Sequence, residues 1–229
     1  ATWEAIYDKK NEEFLKNPPV GKDLLRWKYQ RYVKEYCRTI RSVDEQVGRL
    51  LDYLEEKGVL DNTVIVYTSD QGFLLGEHGL YDKRFMYEES FRTPLIISCP
   101  SLVKKHSVCK ELVQNIDLAP TFLSLAGVEV PKEMSGRSLL PLFKNGKAEN
   151  WRNELYYHFY DYPAVGSVRK HDGIRTKRYK LIHWYGEGSG NDEAIDFWEL
   201  YDLKKDVMEV NNCLLYTSPS PRDRTRYRM

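Results

Sequence analysis

The sequence has no long apolar run. None of its hydrophobic stretches approaches the roughly 20 residues that span a bilayer, so no membrane-spanning helix is expected. Cysteine is scarce: four residues, at 37, 99, 109 and 213, with no Cys-x-x-Cys pair among them. A structural zinc site is therefore not expected. Cys99 and Cys109 could close a small loop in an exported protein; two free buried thiols are the other reading. An excess of charge is also missing, since 35 basic and 34 acidic residues give a net charge of +1. No basic stripe interleaved with aromatics runs through the body of the chain, so nucleic acid is not an expected partner. There is no initiator Met and no apolar leader at Ala1, and the sequence reads as a piece that starts mid-protein.

What is present is ordinary for a globular protein of one or two domains: 229 residues, 41% hydrophobic and 30% charged. The 17 tyrosines are the exception, and Tyr and Trp gather between Trp151 and Trp198. Two readings of that cluster stand, packing with polar tips at the surface or a carbohydrate-binding surface.

Residues 1–21 are polar and break at Asn17-Pro18-Pro19. A long helix should follow, because Tyr29, Tyr32, Val33, Tyr36, Ile40, Val43, Val47, Leu50, Leu51 and Leu54 recur in three- and four-residue steps. Gly58 suits the left-handed position that ends it. Thr63 to Thr68 and Leu95 to Ser98 are continuous β-branched or apolar runs, the pattern of strands covered on both faces, as in a parallel sheet under helices. Asp117 can cap a short helix that ends at Gly127, and 131–141 reads as loop. From Glu154 onward Leu155–Tyr160, Gly173–Thr176, Tyr179–Ile182 and Trp198–Asp202 predict an antiparallel sheet with a hairpin turn at Lys177-Arg178. The organisation predicted is an α/β portion over 1–149, an antiparallel subdomain over 150–212, and a tail over 213–229 that is disordered or not native sequence.

Asp70 and Gln71 stand directly after the first buried run. Ligand sites of open α/β sheets form at the carboxyl ends of strands, and a carboxylate with an amide oxygen suits Ca²⁺ or Mg²⁺. Taken alone, the pair fits a plain turn as well. The run continues Gly72-Phe73-Leu74-Leu75-Gly76-Glu77-His78-Gly79-Leu80-Tyr81-Asp82-Lys83-Arg84 and then Tyr87-Glu88-Glu89-Ser90-Phe91-Arg92-Thr93-Pro94-Leu95. In order and spacing it closely resembles the type I sulfatases of the alkaline-phosphatase-like superfamily. Asn115-Ile116-Asp117-Leu118-Ala119-Pro120-Thr121, Gly136-Arg137-Ser138-Leu139, Arg175-Thr176 with Tyr179-Lys180-Leu181, and Glu199-Leu200-Tyr201-Asp202 match further segments of that family, over roughly residues 25–212. Tyr160 to Val165 and Lys170 to Thr176 are similar to N-acetylglucosamine-6-sulfatase-like members.

The resemblance implies an alkaline-phosphatase-like α/β sheet between helices, with a small antiparallel subdomain. It implies that Asp70 and Gln71 are ligands of one divalent cation, usually Ca²⁺, with Gln71 standing where many members have Asn or His. It places Lys83 on the sulfate group and Lys170 and His171 over the sugar. His78, in a Gly-rich loop, has two readings from its own surroundings, a proton shuttle or orienting group, or a hydrogen-bonded loop histidine. Glu88, Glu89 and Arg92 read as a structural ion-pair network. The family's nucleophile is a formylglycine made in a Cys/Ser-x-Pro-x-Arg motif, and no such motif occurs here; it is expected upstream, in an N-terminal half with the remaining metal ligands. The isolated chain is therefore expected to be inactive. Export is expected for the family, and a sulfated carbohydrate is the expected substrate. A phosphodiesterase or phosphonate monoester hydrolase of the same superfamily, and a non-catalytic carbohydrate-binding module, are the alternatives.

Overall fold

The structure, a computed structural model, describes residue 12 and residues 14–163, 168–188 and 193–216. The chain divides into two compact units, one of residues 1–60 with 75–81, the other of 61–74 with 82–229.

The first unit is dominated by helix α1 (Gly21–Glu56), 36 residues long, or about 54 Å at 1.5 Å per residue. It ends as its sequence predicts. Gly58 takes φ +66°, its N–H bonds Glu55 O at 2.8 Å, and the Val59 N–H bonds Leu54 O at 3.0 Å, closing carbonyls that the helix leaves open. The apolar stripe is less covered than its period predicts: no residue of α1 is buried, and Leu25, Ile40, Val43 and Leu50 are exposed. The physical reason is length, because the other described part of this unit is the short segment 75–81. There the Glu77 carboxylate accepts the Leu75 N–H at 2.6 Å, and His78 turns the chain with φ 56°.

In the second unit, β1 (Ile65–Thr68) pairs with β4 (Leu95–Ser98) in the register Ile65↔Ser98 to Thr68↔Leu95. The pairing is antiparallel, which corrects the parallel arrangement predicted from the two apolar runs. Such runs signal coverage and carry no information on direction. Coverage is also one-sided: Leu95 and Ile97 pack toward Leu139, Leu142 and Phe143, while Ile96 is 62% exposed. Between these strands lie the two-residue strands β2 (Leu74–Leu75) and β3 (Tyr81–Asp82), which pair with each other, and helix α2 (Glu88–Phe91).

Helices α3 (Leu118–Leu125) and α4 (Leu140–Phe143) follow, the latter starting within the last two residues of the 131–141 stretch expected as loop. Gly127 closes α3 at φ +70°. Asp117 stands at the N-terminus of α3 but makes no side-chain cap there. Its carboxylate is drawn away by the N–H groups of Gln114 and Arg137, each at 2.8 Å, and by both terminal nitrogens of Arg152. The Thr121 hydroxyl donates to Asp117 O and accepts the Leu139 N–H at 2.8 Å, so this buried hydroxyl and the Asp117 carboxylate together tie α3 to the 136–139 segment.

Strands β5 (Glu154–Phe159), β6 (His171–Thr176), β7 (Tyr179–Gly186) and β8 (Ile195–Asp202) form an antiparallel sheet in that order, with the β6–β7 turn at Lys177-Arg178 as predicted. This sheet shares one unit with β1 and β4. Alternation divides it cleanly. Tyr157, Ile182, Trp184 and Tyr201 face a core that also takes in Phe85, Met86, Tyr87 and Phe91, whereas Tyr156, Ile174 and Trp198 remain exposed on the other face. The aromatic cluster thus serves packing on one side and leaves a surface on the other. Trp198 lies flat on His183 there, with centroids 4.1 Å apart and planes at 9°.

Cys99 is buried and Cys109 exposed, and both are free thiols. The bonded loop is not formed, and only one of the two is buried. In the segment expected to be tail, Cys213–Tyr216 forms a 3₁₀ turn, and Thr217 to Met229 lies outside the described residues.

Candidate active site

The chain leaves β1 through Ser69-Asp70-Gln71-Gly72, and the carbonyls of Ser69, Asp70 and Gln71 and the N–H of Gly72 are all held. The Asn115 carboxamide donates to both Ser69 O and Asp70 O at 3.0 Å. The Ser69 hydroxyl donates to Gln71 O at 2.8 Å. The N–H groups of Gly72 and Phe73 bond Ser90 O and Glu89 O at 2.8 and 2.7 Å. Gly72 is required for that last approach, since a Cβ at this position would overlap the carbonyl oxygen of Glu89. The backbone is fixed, and the Asp70 residue stays exposed, its carboxylate accepting a hydrogen bond at 3.3 Å from Ser69.

Lys83 follows β3 and precedes α2 in the chain. Its side chain is 31% exposed and its ammonium lies 3.7 Å from Asp82 Oδ1, while Arg84 takes the other Asp82 oxygen at 2.6 Å. The residues on either side of Lys83 have left-handed backbones, Asp82 at φ 80° and Arg84 at φ 86°. Non-glycine residues adopt such angles at a cost of order 1–3 kcal/mol, so the surroundings hold this segment in place. The Asp70 turn is bonded through Gly72 and Phe73 to α2, the helix that follows the Lys83 segment in the chain.

Among the described residues no group of three or more His, Cys, Asp or Glu side chains could hold a metal. A hard divalent cation takes six to eight oxygens. Asp70 and Gln71 present adjacent carboxylate and amide oxygens on a fixed turn, which fits part of such a site and leaves the remaining oxygens to other residues.

The other predicted site residues stand on other segments. His78 sits in the first unit, in the Glu77–Gly79 turn. Lys170 precedes β6, where its carbonyl accepts the Tyr185 N–H at 3.0 Å. His171 corrects the expectation that it reads a sugar. It is fully buried on the inner face of β6, its ring 4.3 Å from Trp184 and 5.5 Å from Tyr157 and Phe159, with Nδ1 2.8 Å from Arg169 O. Burial pushes its pKa down from 6.5 to about 4, outweighing the Arg169 carbonyl.

Since the unfolded imidazole binds a proton that the folded one refuses, this contribution is complete above pH 6.5 and is lost as pH falls through 6.5 toward 4. It amounts to roughly 3 kcal/mol. Denaturant unfolding at pH 7 and pH 4 should therefore show a larger acid loss for the native protein than for His171→Phe, by about that amount; equal losses would contradict the buried, neutral ring.

A polar cleft of about 510 Å³ is lined by Gln114, Arg137, Asn150, Trp151 and Arg152. None of the predicted site residues lines it, and Arg152 is already committed to Asp117. Two residues that hold these segments were missed by sequence reasoning. Asn115 clamps the Asp70 turn, and Lys180 lies buried beneath the Lys83 segment. Both fall inside matched segments, which gave their identity without their contacts.

Comparison with known proteins gives two family matches, Sulfatase over residues 4–128 and N-sulphoglucosamine sulphohydrolase, C-terminal, over residues 76–223. The N-acetylglucosamine-6-O-sulfatase of Bacteroides thetaiotaomicron is 52% identical over 212 residues, 92% of this chain and 37% of that protein. The multifunctional alkaline phosphatase superfamily protein PehA of Trinickia caryophylli is 37% identical over 189 residues, 77% of this chain and 35% of its own length. A protein solved in complex with its substrate D-glucosamine-2-N,6-O-disulfate superposes with a TM-score of 0.85 at 50% identity, covering 97% of this chain and 44% of that one. The chain thus spans well under half the length of each.

Proposed function

This chain belongs to the sulfatase family, with that family's alkaline-phosphatase-like α/β fold, and on that premise we propose that it forms the C-terminal part of a sulfuric ester hydrolase acting on sulfated glycans. The preferred sugar in this reading is 6-O-sulfated N-acetylglucosamine, as the names of its similar relatives suggest. The observation that carries it is the bonding of the turn that holds Asp70 to α2, the helix that the Lys83 segment leads into along the chain.

Hydrolysis of a sulfate ester builds negative charge on the leaving oxygen and keeps charge on the other sulfate oxygens. A fixed ammonium stabilises that charge best where water is excluded. In this reading Lys83 contacts the sulfate, Asp70 and Gln71 hold a divalent cation, Ca²⁺ by family habit, and Lys170 lies toward the sugar. The bound cation would polarise the sulfate oxygens. The nucleophile, a formylglycine in the family, lies outside these residues, together with the other metal ligands. Export from the cytoplasm belongs to the same reading; no described helix is long and apolar enough to cross a membrane.

The test is sulfate release by an enzyme in which this chain is joined to the preceding segment its relatives carry. Sulfate should be freed from 6-O-sulfated N-acetylglucosamine well ahead of 2-O-sulfated uronate. Preference for the uronate would reject the sugar. Faster turnover of a phosphonate monoester than of any sulfate ester would favour the second reading, phosphoryl chemistry on the same scaffold, which similarity to a multifunctional superfamily member keeps in view.

A further inference from the structure

The segment that carries Lys83 is gripped by the inner face of the C-terminal sheet. Lys180, on β7, is fully buried, and its ammonium donates to Met86 O at 2.7 Å. The same ammonium lies 2.9 Å from Glu88 Oε1 and 2.7 Å from Glu209 Oε1. The second Glu209 oxygen accepts the Glu88 N–H at 2.6 Å, and Arg175 reaches both Glu88 oxygens at 3.3 Å. Further contacts run along the segment: the Tyr157 hydroxyl donates to Arg84 O at 3.0 Å, and the Tyr87 hydroxyl to Glu199 at 3.1 Å.

A fully buried pair, Lys180 and Glu209, beside the partly buried Glu88 and Arg175, is a poor way to gain stability, since each buried ion costs several kcal/mol to desolvate and apolar replacements of similar size are often as stable. What an ion cluster adds over the neighbouring Met86, Ile182 and Trp184 core is direction. Contacts from Lys180, Glu209 and Arg175 converge on Met86 and Glu88, and Arg84, held by Tyr157, is the residue next to Lys83. The environment also splits the two carboxylates. Burial pushes Glu88 up, yet Lys180 and Arg175 outweigh it and hold the group below its ordinary value, while burial prevails at Glu209 and raises it.

We infer that Lys180, with Glu209, is a positioning pair for Lys83, fixing the backbone of residues 84–88 so that the Lys83 ammonium is held at the sulfate. The inference rests on the reading of Lys83 given above, and it makes the C-terminal sheet a working part of the active site.

The test uses the full-length enzyme and 6-O-sulfated N-acetylglucosamine. The variants are Lys180→Met with Glu209→Gln, which removes one charge of each sign at nearly constant volume, Lys83→Ala, and all three together. Circular dichroism and a melting curve show that each is folded. The double variant should lose about 10- to 100-fold in kcat with KM changed less than threefold. Adding it to Lys83→Ala should cause little further loss, because residues acting through one group are not additive. Undiminished kcat in the folded double variant, or a full multiplicative loss in the Lys83→Ala background, would overturn the pair's role. If the double variant does not fold, Glu209→Gln alone carries the same comparison, with a smaller loss expected in kcat and again none on top of Lys83→Ala. Unchanged sulfate release by Lys83→Ala itself would instead reject the parent reading, so the two failures are told apart.

Discussion

Lys83→Ala should lower kcat for sulfate release by about two to three orders of magnitude, the usual cost of removing one preorganised group that stabilises transition-state charge, while leaving the protein folded. The folding half of this expectation follows from the surroundings of the side chain. It is a third exposed, and its pairing with Asp82 is long, at 3.7 Å. Exposed ion pairs of this kind contribute about 0–1 kcal/mol. The shorter Arg84–Asp82 pair remains in the variant, as do the contacts of Tyr157 and Lys180 with the following segment. Steady-state kinetics separate the roles. A fall in kcat with KM little changed marks an interaction made in the transition state, whereas a rise in KM alone would mean that Lys83 only helps to hold the sugar. Lys83→Arg should recover little, because a forked guanidinium cannot replace a compact ammonium at a position fixed by its neighbours.

Arg152→Ala should cost about 3–5 kcal/mol of stability, the range for leaving one ion of a buried pair without its partner. Asp117 has no exposed surface, and Arg152 meets both of its oxygens, one of them at 2.7 Å. The backbone donors from Gln114 and Arg137 stay in place but cannot neutralise the charge. The damage should reach the active site, since Asn115, which holds the Asp70 turn, lies in the 3₁₀ turn closed by Asp117. Asp117→Asn combined with Arg152→Ala should recover part of the loss by removing the stranded charge. Thermal unfolding of the two variants beside the native protein checks both statements, and equal melting temperatures for Arg152→Ala and the native protein would contradict them.

The sequence made the four-stranded sheet legible because a half-buried strand writes its two faces as alternating residues, and because Lys177-Arg178 interrupts that alternation at the turn. The end of α1 was legible for a similar reason: few residues other than glycine accept the angle found at Gly58. Strand direction was not, since an apolar run such as Ile65-Val66-Tyr67 records coverage alone. Asp117 looked like a helix cap because its identity and position suit one; the arginine that claims its carboxylate stands far along the chain. His171 and Lys180 illustrate the same limit. A polar residue at an inward strand position reads as surface until its partners are known, and those of Lys180 come from Glu88 and Glu209, segments that no local pattern joins. Asp70, Gln71 and Lys83 were singled out through family resemblance, while the bonding of the Asp70 turn to α2, the helix that the Lys83 segment leads into, came from the fold.

The most direct test of the metal-and-lysine site is the divalent metal content of the full-length enzyme, measured by mass spectrometry on the native protein and on Asp70→Ala. The native enzyme should retain about one cation per chain, and Asp70→Ala should lose it together with sulfate release while keeping its melting profile apart from the metal's own contribution. An Asp70→Ala enzyme that keeps both its cation and its activity would contradict the assignment of this turn to the catalytic centre.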